Sequence, residues 1–169
     1  FVQALAQLRS LRLARNGGVR WLGVLLGRPL VHELPWYVII GAPGAGKTTV
    51  LLNSGLHFPL ADDSGGTSAR ESIRGIGGTR NCDWWFASEA VLIDTAGRYT
   101  TQDSDRDADR TAWLGFLDLL RRHRPRCPIN GVLLAVCASD LLQATPERVA
   151  AQAAELRQRL DEINTRLGI

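Results

Sequence analysis

The residues best suited to chemistry lie in one glycine-rich segment, residues 41–48, which reads Gly-Ala-Pro-Gly-Ala-Gly-Lys-Thr. This segment matches the pattern G-x-x-x-x-G-K-[ST] in full. In such a loop the backbone N–H groups face one phosphate, and the lysine reaches the β- and γ-phosphates. The threonine hydroxyl is a ligand for Mg²⁺. The pattern predicts that these residues bind a nucleotide: Gly41, Ala42, Pro43, Gly44, Ala45, Gly46, Lys47, Thr48 and Thr49.

A second motif, Asp94-Thr95-Ala96-Gly97, ends an apolar run at residues 90–93 that is typical of a buried strand. An aspartate at the carboxyl end of a strand beside a phosphate-binding loop holds Mg²⁺, and a D-x-x-G glycine N–H meets the γ-phosphate. We therefore expect Thr48 and Asp94 to be Mg²⁺ ligands and Gly97 to contact the nucleotide. Lys47 and Asp94 become candidate catalytic residues.

Two further candidates flank these motifs. Arg98 stands where many regulatory GTPases carry the glutamine that orients the attacking water, so we expect any intrinsic hydrolysis to be slow. Arg98 is a third candidate catalytic residue, stabilising charge on the phosphates; the alternative is an exposed arginine paired with an aspartate. Thr79 lies in the glycine-rich stretch 56–82, at the position of switch I. It is the third candidate Mg²⁺ ligand, with an ordinary loop as the alternative.

Alternate aspartates at residues 103–109 suggest calcium binding, but the spacing excludes an EF-hand. Such a loop needs Gly at position 108 and Glu at position 114, where this chain has Ala108 and Leu114. We expect these aspartates to be solvated and to favour the start of the next helix. Asp140 follows the apolar run 131–137 without the Asn and Lys of a guanine-reading motif, so we do not assign it to base recognition.

The elements that position these residues are predicted from apolar runs and caps. Buried parallel strands are predicted at residues 37–40, 91–93 and 131–137. A strand at 83–87, joined to 91–93 by a short turn, would form an antiparallel edge. Trp84 and Trp85 would then point to opposite faces, one into the core and the other covering the edge or a partner. The predicted fold is a three-layer αβα P-loop NTPase fold, GTPase-like, with a mostly parallel sheet.

Helices are predicted on both sides of the last strand. The helix before that strand carries four apolar residues at helical spacing: Trp113, Phe116, Leu117 and Leu120. A separate amphipathic helix is predicted at residues 1–15. The last helix starts with Thr145 as N-cap and Pro146 in the first turn, and ends at Gly168. Its apolar stripe is Val149, Ala153, Leu156, Leu160, Ile163 and Leu167.

Composition fits this fold class. The 169 residues, 45% of them hydrophobic and 22% charged, suit one globular domain with a sizeable core. The three cysteines form no C-x-x-C pair, which argues against a zinc site or a disulfide framework. A net charge of +3 does not indicate nucleic-acid binding, and no apolar run approaches the length of a membrane span. The chain begins without Met, so we expect a piece of a longer protein.

Four blocks of this sequence together resemble the IcmF/TssM family, inner-membrane subunits of bacterial type VI secretion systems. The blocks lie at residues 34–48, 52–56, 78–86 and 94–102. The Asn-Cys-Asp-Trp-Trp run at 81–85 is far more specific than a phosphate-binding loop. The resemblance covers roughly residues 34–167.

This resemblance implies a cytoplasmic NTPase-like domain, residues 31–169, on the cytoplasmic face of the inner membrane. Residues 1–30 would lead from a membrane span outside this chain, and the implied partners are TssL, TssJ and baseplate components. The family places a T-K-x-D motif on the strand after the last helix. The domain would therefore be truncated on its C-terminal side, which leaves ATP and GTP as alternative ligands.

The expected function is that of a Mg²⁺–nucleotide-binding conformational switch, with slow nucleotide hydrolysis as its possible enzymatic activity. One alternative is a structural scaffold in the same complex whose phosphate-binding loop is little used. Another is a targeting GTPase of the signal-recognition type, which shares the Asp-Thr-Ala-Gly-Arg run. The predicted antiparallel strand at 83–87 argues against that alternative, because those GTPases favour all-parallel sheets.

Overall fold

The computed structural model describes residues 34–58, 82–103 and 105–169. Its strands are β1 (Trp36–Ile40), β2 (Cys82–Phe86), β3 (Val91–Thr95) and β4 (Gly131–Leu134). Its helices are α1 (Lys47–Leu52), α2 (Gly97–Thr101), α3 (Arg106–His123), α4 (Ala138–Gln143) and α5 (Pro146–Leu167). The predicted helix at residues 1–15, the linking segment 1–30 and Thr79 lie outside the described residues.

The four strands form one mixed sheet in the order β2-β3-β1-β4. β1 is parallel to both β3 and β4, whereas β2 is antiparallel to β3. The α/β class and the antiparallel edge strand are therefore confirmed. The predicted strand 131–137 is too long, because β4 ends at Leu134 after a last backbone bond from Ala135 to Ile40. Cys137 already serves as the N-cap of α4.

Side chains alternate between the two faces of the sheet and build a separate apolar cluster on each. The larger cluster joins Val38 and Ile93 to buried residues of α3 and α5. The smaller cluster holds Ile39 and Leu92 beneath α1. Helices thus cover both faces of the sheet, and the loops at the carboxyl ends of β1 and β3 meet at one edge.

The paired tryptophans of β2 are both core residues. Trp84 is 2% exposed and packs edge-to-face on Trp36 in the larger cluster. Trp85 is 1% exposed and packs against Phe58 in the smaller cluster. The prediction of opposite faces is right, but the prediction that one of them covers an edge or a partner is wrong. Phe58, from the segment after α1, covers Trp85 instead.

The last helix, α5, begins and ends where its caps predict, and the structure adds an aspartate N-cap for α3. The Asp105 carboxylate accepts a hydrogen bond from the Ala108 N–H at the start of α3, and the Thr145 hydroxyl accepts one from the Arg148 N–H at the start of α5. Gly168 ends α5 in the left-handed conformation. The predicted apolar stripe of α5 is buried only toward its C-terminal end; Ile163 and Leu167 are buried, whereas Ala153 is exposed.

Within the three described ranges, no helix is both long enough and apolar enough to cross a bilayer. Among the described residues, Cys82, Cys127 and Cys137 form no disulfide bond. Burial raises the pKa of the Cys82 thiol to about 11, which keeps it protonated at neutral pH.

Candidate functional site

The glycine-rich loop, residues 41–48, turns sharply between β1 and α1. Gly44 and Gly46 have φ values of +77° and +81°, in the left-handed region that side chains disfavour. Gly46 is the N-cap of α1, so Lys47 is the first residue of that helix. The Lys47 side chain folds back over the loop, and its Nζ donates hydrogen bonds to the carbonyls of Gly41 at 2.8 Å and Ala42 at 2.9 Å.

Thr48 and Asp94 join the two motifs directly. The Thr48 hydroxyl donates a 2.5 Å hydrogen bond to Asp94 Oδ2. Asp94 lies near the carboxyl end of β3 beside Ile39 of β1, which places its carboxylate at the edge where the glycine-rich loop begins. The second carboxylate oxygen, Asp94 Oδ1, is buried and has no hydrogen-bond partner among the described residues.

Burial dominates the electrostatics of this pair of charges. It lowers the pKa of Lys47, and the Asp94 carboxylate partly opposes that shift. Burial raises the pKa of Asp94, and the Thr48 hydrogen bond and the Lys47 ammonium partly oppose it. Burial thus disfavours the charged form of each residue, and the opposite charge of the other residue reduces this penalty. Such perturbed groups at the mouth of a parallel sheet are typical of functional sites.

Two glycines allow close backbone contacts around the loop. A Cβ on Gly97 would lie 2.6 Å from Pro43 Cα and would also collide with Pro43 N. A Cβ on Gly41 would collide with the Ala135 carbonyl oxygen. α2 therefore begins at Gly97, in direct contact with the glycine-rich loop. These close contacts explain why the first motif begins with a glycine and the second motif ends with one.

The Arg98 side chain reaches α3. Its Nε lies 2.9 Å from Asp109 Oδ1, and its guanidinium is 5.4 Å from the centre of the Tyr99 ring. The Arg98 side chain is 37% exposed and the Asp109 side chain 8%. The structure therefore shows the arrangement we predicted as the alternative, an arginine paired with an aspartate.

The structure brings together most of the predicted site. Lys47, Thr48, Asp94 and Gly97 converge on the glycine-rich loop, while Thr49 lies on α1 in an exposed position. The Thr48 hydroxyl and the Asp94 carboxylate offer oxygen ligands of the kind Mg²⁺ prefers. The buried and unpartnered Asp94 Oδ1 is an acceptor that a cation would satisfy. The donor set therefore fits Mg²⁺.

Comparison with known proteins gives two matches. Residues 106–169 match the IcmF-related N-terminal domain. Over 162 residues, 96% of this chain, the sequence is 58% identical to "Type VI secretion system component TssM1" of Pseudomonas aeruginosa. The chain belongs to the IcmF/TssM family. It spans 14% of the length of that TssM1 relative, and no solved structure matches it.

Sequence reasoning missed Thr100 and Arg159 around the site of this IcmF/TssM-family chain, and it wrongly expected Asp109, which is 6% exposed, to be solvated. Thr100 accepts a 3.1 Å hydrogen bond from the Gly41 N–H, Asp109 binds Arg98, and Arg159 reaches the Tyr99 carbonyl. Thr100 lies three residues after the second motif, and this proximity could have indicated its role. Arg159 lies one residue before Leu160 of the apolar stripe of α5, and the apolar pattern does not predict that this arginine is buried.

Proposed function

We propose that this domain has a P-loop NTPase fold, binds Mg²⁺–ATP or Mg²⁺–GTP at the glycine-rich loop, and acts as a conformational switch in a type VI secretion membrane complex. The observation that carries the proposal is the Thr48–Asp94 hydrogen bond, which joins the two motifs beside Lys47. If this segment were only a turn in the chain, its glycines would be sufficient. A turn would not need a buried lysine and a buried carboxylate at the same edge of the sheet, because burying each charge is costly.

The residues divide the binding work between them. Backbone N–H groups of residues 41–48 and the N-terminus of α1 receive the phosphates, and Lys47 supplies positive charge to the β- and γ-phosphates. Thr48 and Asp94 hold the cation, which when bound neutralises charge on the phosphate oxygens. The Gly97 N–H meets the γ-phosphate, so its contact with Pro43 makes α2 sensitive to the third phosphate.

Any hydrolysis would rest on positioning and charge neutralisation and would be slow. The residue directly after Gly97 is Arg98 rather than a glutamine, and Arg98 is engaged with Asp109. Arg98 can act on the phosphates only when it leaves that carboxylate. A partner that competes for Asp109 would therefore increase turnover, whereas the isolated domain would chiefly bind nucleotide.

The setting of the switch follows from the family. The relative's name describes a type VI secretion component, and the resemblance implies a domain on the cytoplasmic face of the inner membrane. Residues 31–169 would form that domain and residues 1–30 would connect it to the membrane. Its partners would be TssL, TssJ and baseplate components, and Thr79 would be a third Mg²⁺ ligand.

A structural scaffold is the second candidate, and one observation favours it. Lys47 Nζ is already hydrogen-bonded to two loop carbonyls, and Thr48 to Asp94, so most polar groups of the site are satisfied by the chain itself.

The antiparallel pairing of β2 with β3 argues against a signal-recognition-type GTPase.

Exchange of Lys47 in the full-length protein separates the switch from the scaffold. We expect Lys47→Ala to abolish secretion while the membrane complex still assembles, measured by secretion of a reporter substrate and by co-purification of the complex. Arg157→Ala, an exposed substitution on α5, is the control. Normal secretion by Lys47→Ala would contradict the switch and leave the scaffold.

A further inference from the structure

The segment from Gly97 to Gln102, which contains α2, connects the glycine-rich loop to α5. At its start, Gly97 touches Pro43, and one turn later the Thr100 hydroxyl accepts a hydrogen bond from the Gly41 N–H at 3.1 Å. α2 therefore contacts the glycine-rich loop at both Pro43 and Gly41. A displacement of α2 would displace the loop, and a ligand bound to the loop would displace α2.

The segment ends in a strained residue. Gln102 has φ +54° and ψ +41°, in the left-handed region that glutamine rarely adopts, and it is 6% exposed. Its N–H donates a 2.7 Å hydrogen bond to the Arg98 carbonyl and closes the short helix. A non-glycine residue in this conformation costs on the order of 1 kcal/mol and persists only where its surroundings hold it. Something must therefore hold the C-terminal end of α2.

Arg159 of α5 contacts α2 three residues before Gln102. Its side chain is 3% exposed, and Nη1 donates a 3.3 Å hydrogen bond to the Tyr99 carbonyl in the middle of α2. Its Nε lies 3.3 Å from Glu162 Oε2, and the same oxygen accepts a 2.8 Å hydrogen bond from Trp113 Nε1 of α3. One guanidinium therefore ties α2 to α5 and, through Glu162, to α3.

A hydrophobic residue of similar volume would serve packing better, because burying a guanidinium is costly even when it is paired. The arginine is instead directed at a backbone carbonyl of α2, where it fixes position. We propose that Arg159 is a positioning residue that holds Gly97–Gln102 in the arrangement that receives the γ-phosphate, and that it transmits occupancy of the loop to α5. This inference rests on the proposed nucleotide binding and extends it to the output of the switch.

The proposal predicts a specific discrimination. The γ-phosphate is met by Gly97, whereas the α- and β-phosphates are met by the loop and Lys47. Loss of the Arg159 contact should therefore weaken the binding of a nucleoside triphosphate more than that of a diphosphate. A merely structural role for Arg159 would weaken both equally, through loss of the folded state.

The test compares Mg²⁺–triphosphate and Mg²⁺–diphosphate affinities by isothermal titration for the wild type, Arg159→Met and Arg159→Lys. Arg157→Met is the matched control, an exposed arginine on the same helix. We expect Arg159→Met to reduce triphosphate affinity about tenfold, within the usual range of coupling between sites, and to reduce diphosphate affinity less. Arg159→Lys, which keeps the charge and a donor, should restore part of the loss even if the Met variant folds poorly. Equal changes for both nucleotides, or none, would overturn the inference.

Hydrogen exchange separates this inference from the nucleotide proposal itself. If the wild type binds neither nucleotide, the nucleotide proposal fails. Faster exchange of the Gln102 N–H in Arg159→Met than in Arg157→Met, without nucleotide, would still support Arg159 as the residue that positions α2. Equal protection of that N–H in the two variants would reject it.

Discussion

The Thr48 hydroxyl and the Asp94 carboxylate, 46 residues apart in the sequence, are joined by a 2.5 Å hydrogen bond. Thr48 is the second residue of α1 and Asp94 is the fourth of β3. The pairing of β1 with β3 sets the distance between them, because Ile39 lies beside Asp94 two residues before the glycine-rich loop begins. The sheet therefore assembles the site before any ligand is involved.

Asp94→Asn should stabilise the domain at neutral pH while removing the carboxylate that we propose as a Mg²⁺ ligand. Burial raises the pKa of Asp94 in the folded protein above its ordinary value of 3.8. The contribution of this carboxyl to stability is therefore present below pH 3.8 and is lost as the pH rises through the folded pKa. Asn keeps an acceptor for Thr48 and carries no charge. We expect a gain on the order of 1 kcal/mol in the free energy of unfolding at pH 7.

Urea unfolding of the wild type and Asp94→Asn across the pH range checks this. The gain should shrink as the pH falls, because the wild-type carboxyl takes up a proton in the folded protein at a higher pH than in the unfolded chain. A gain that is independent of pH, or a loss of stability at pH 7, would show that burial of the charge is not the controlling cause.

Gly97→Ala should destabilise the domain through a backbone collision. The new Cβ would lie 2.6 Å from Pro43 Cα, and backbone cannot move aside as a flexible side chain can. We expect a loss of about 1–3 kcal/mol, measured by urea unfolding. Gly115→Ala is the matched control, since Gly115 lies inside α3 with nothing within 4 Å of the new Cβ. It should gain about 1 kcal/mol.

An unchanged midpoint for Gly97→Ala would mean that α2 does not press against the loop as described. A loss of the same size in Gly115→Ala would point to a general sensitivity of this chain to added methyl groups.

The backbone frame and the meeting of the two glycine-containing motifs could be predicted from the sequence, because each rests on local patterns. Apolar runs predicted the cores of all four strands, and caps such as Thr145 predicted the helix ends. The destination of Arg98 could not be settled, since an exposed arginine can reach either a phosphate or Asp109. Buried Arg159 and the double burial of Trp84 and Trp85 depend on which elements meet in three dimensions, which no local pattern records.

The Arg98–Asp109 ion pair should show measurable coupling. Asp109 is almost buried, so water screens this pair less than it screens an exposed one. A double-mutant cycle with Arg98→Met and Asp109→Asn should give about 1 kcal/mol of coupling in the free energy of unfolding. The exposed Arg166–Asp118 pair, at 3.2 Å, should give less than half of that. Equal coupling in the two cycles would contradict a special role for Asp109 in holding Arg98.

Turnover by the same variants tests the predicted catalytic role of Arg98. If the guanidinium acts on the phosphates once it is released, Asp109→Asn should increase nucleotide hydrolysis and Arg98→Met should reduce it. Hydrolysis that is unaffected by either substitution would restrict Arg98 to its structural pair.

The most direct measurement is a titration of the purified protein with fluorescent ATP and GTP analogues, with and without Mg²⁺, beside Lys47→Ala. The account predicts saturable binding that requires Mg²⁺ and falls at least about tenfold in Lys47→Ala, a loss of about 1.4 kcal/mol. The tighter of the two analogues would identify the base. No binding by the wild type at about 1 mM nucleotide, or equal affinity in Lys47→Ala, would contradict the nucleotide site.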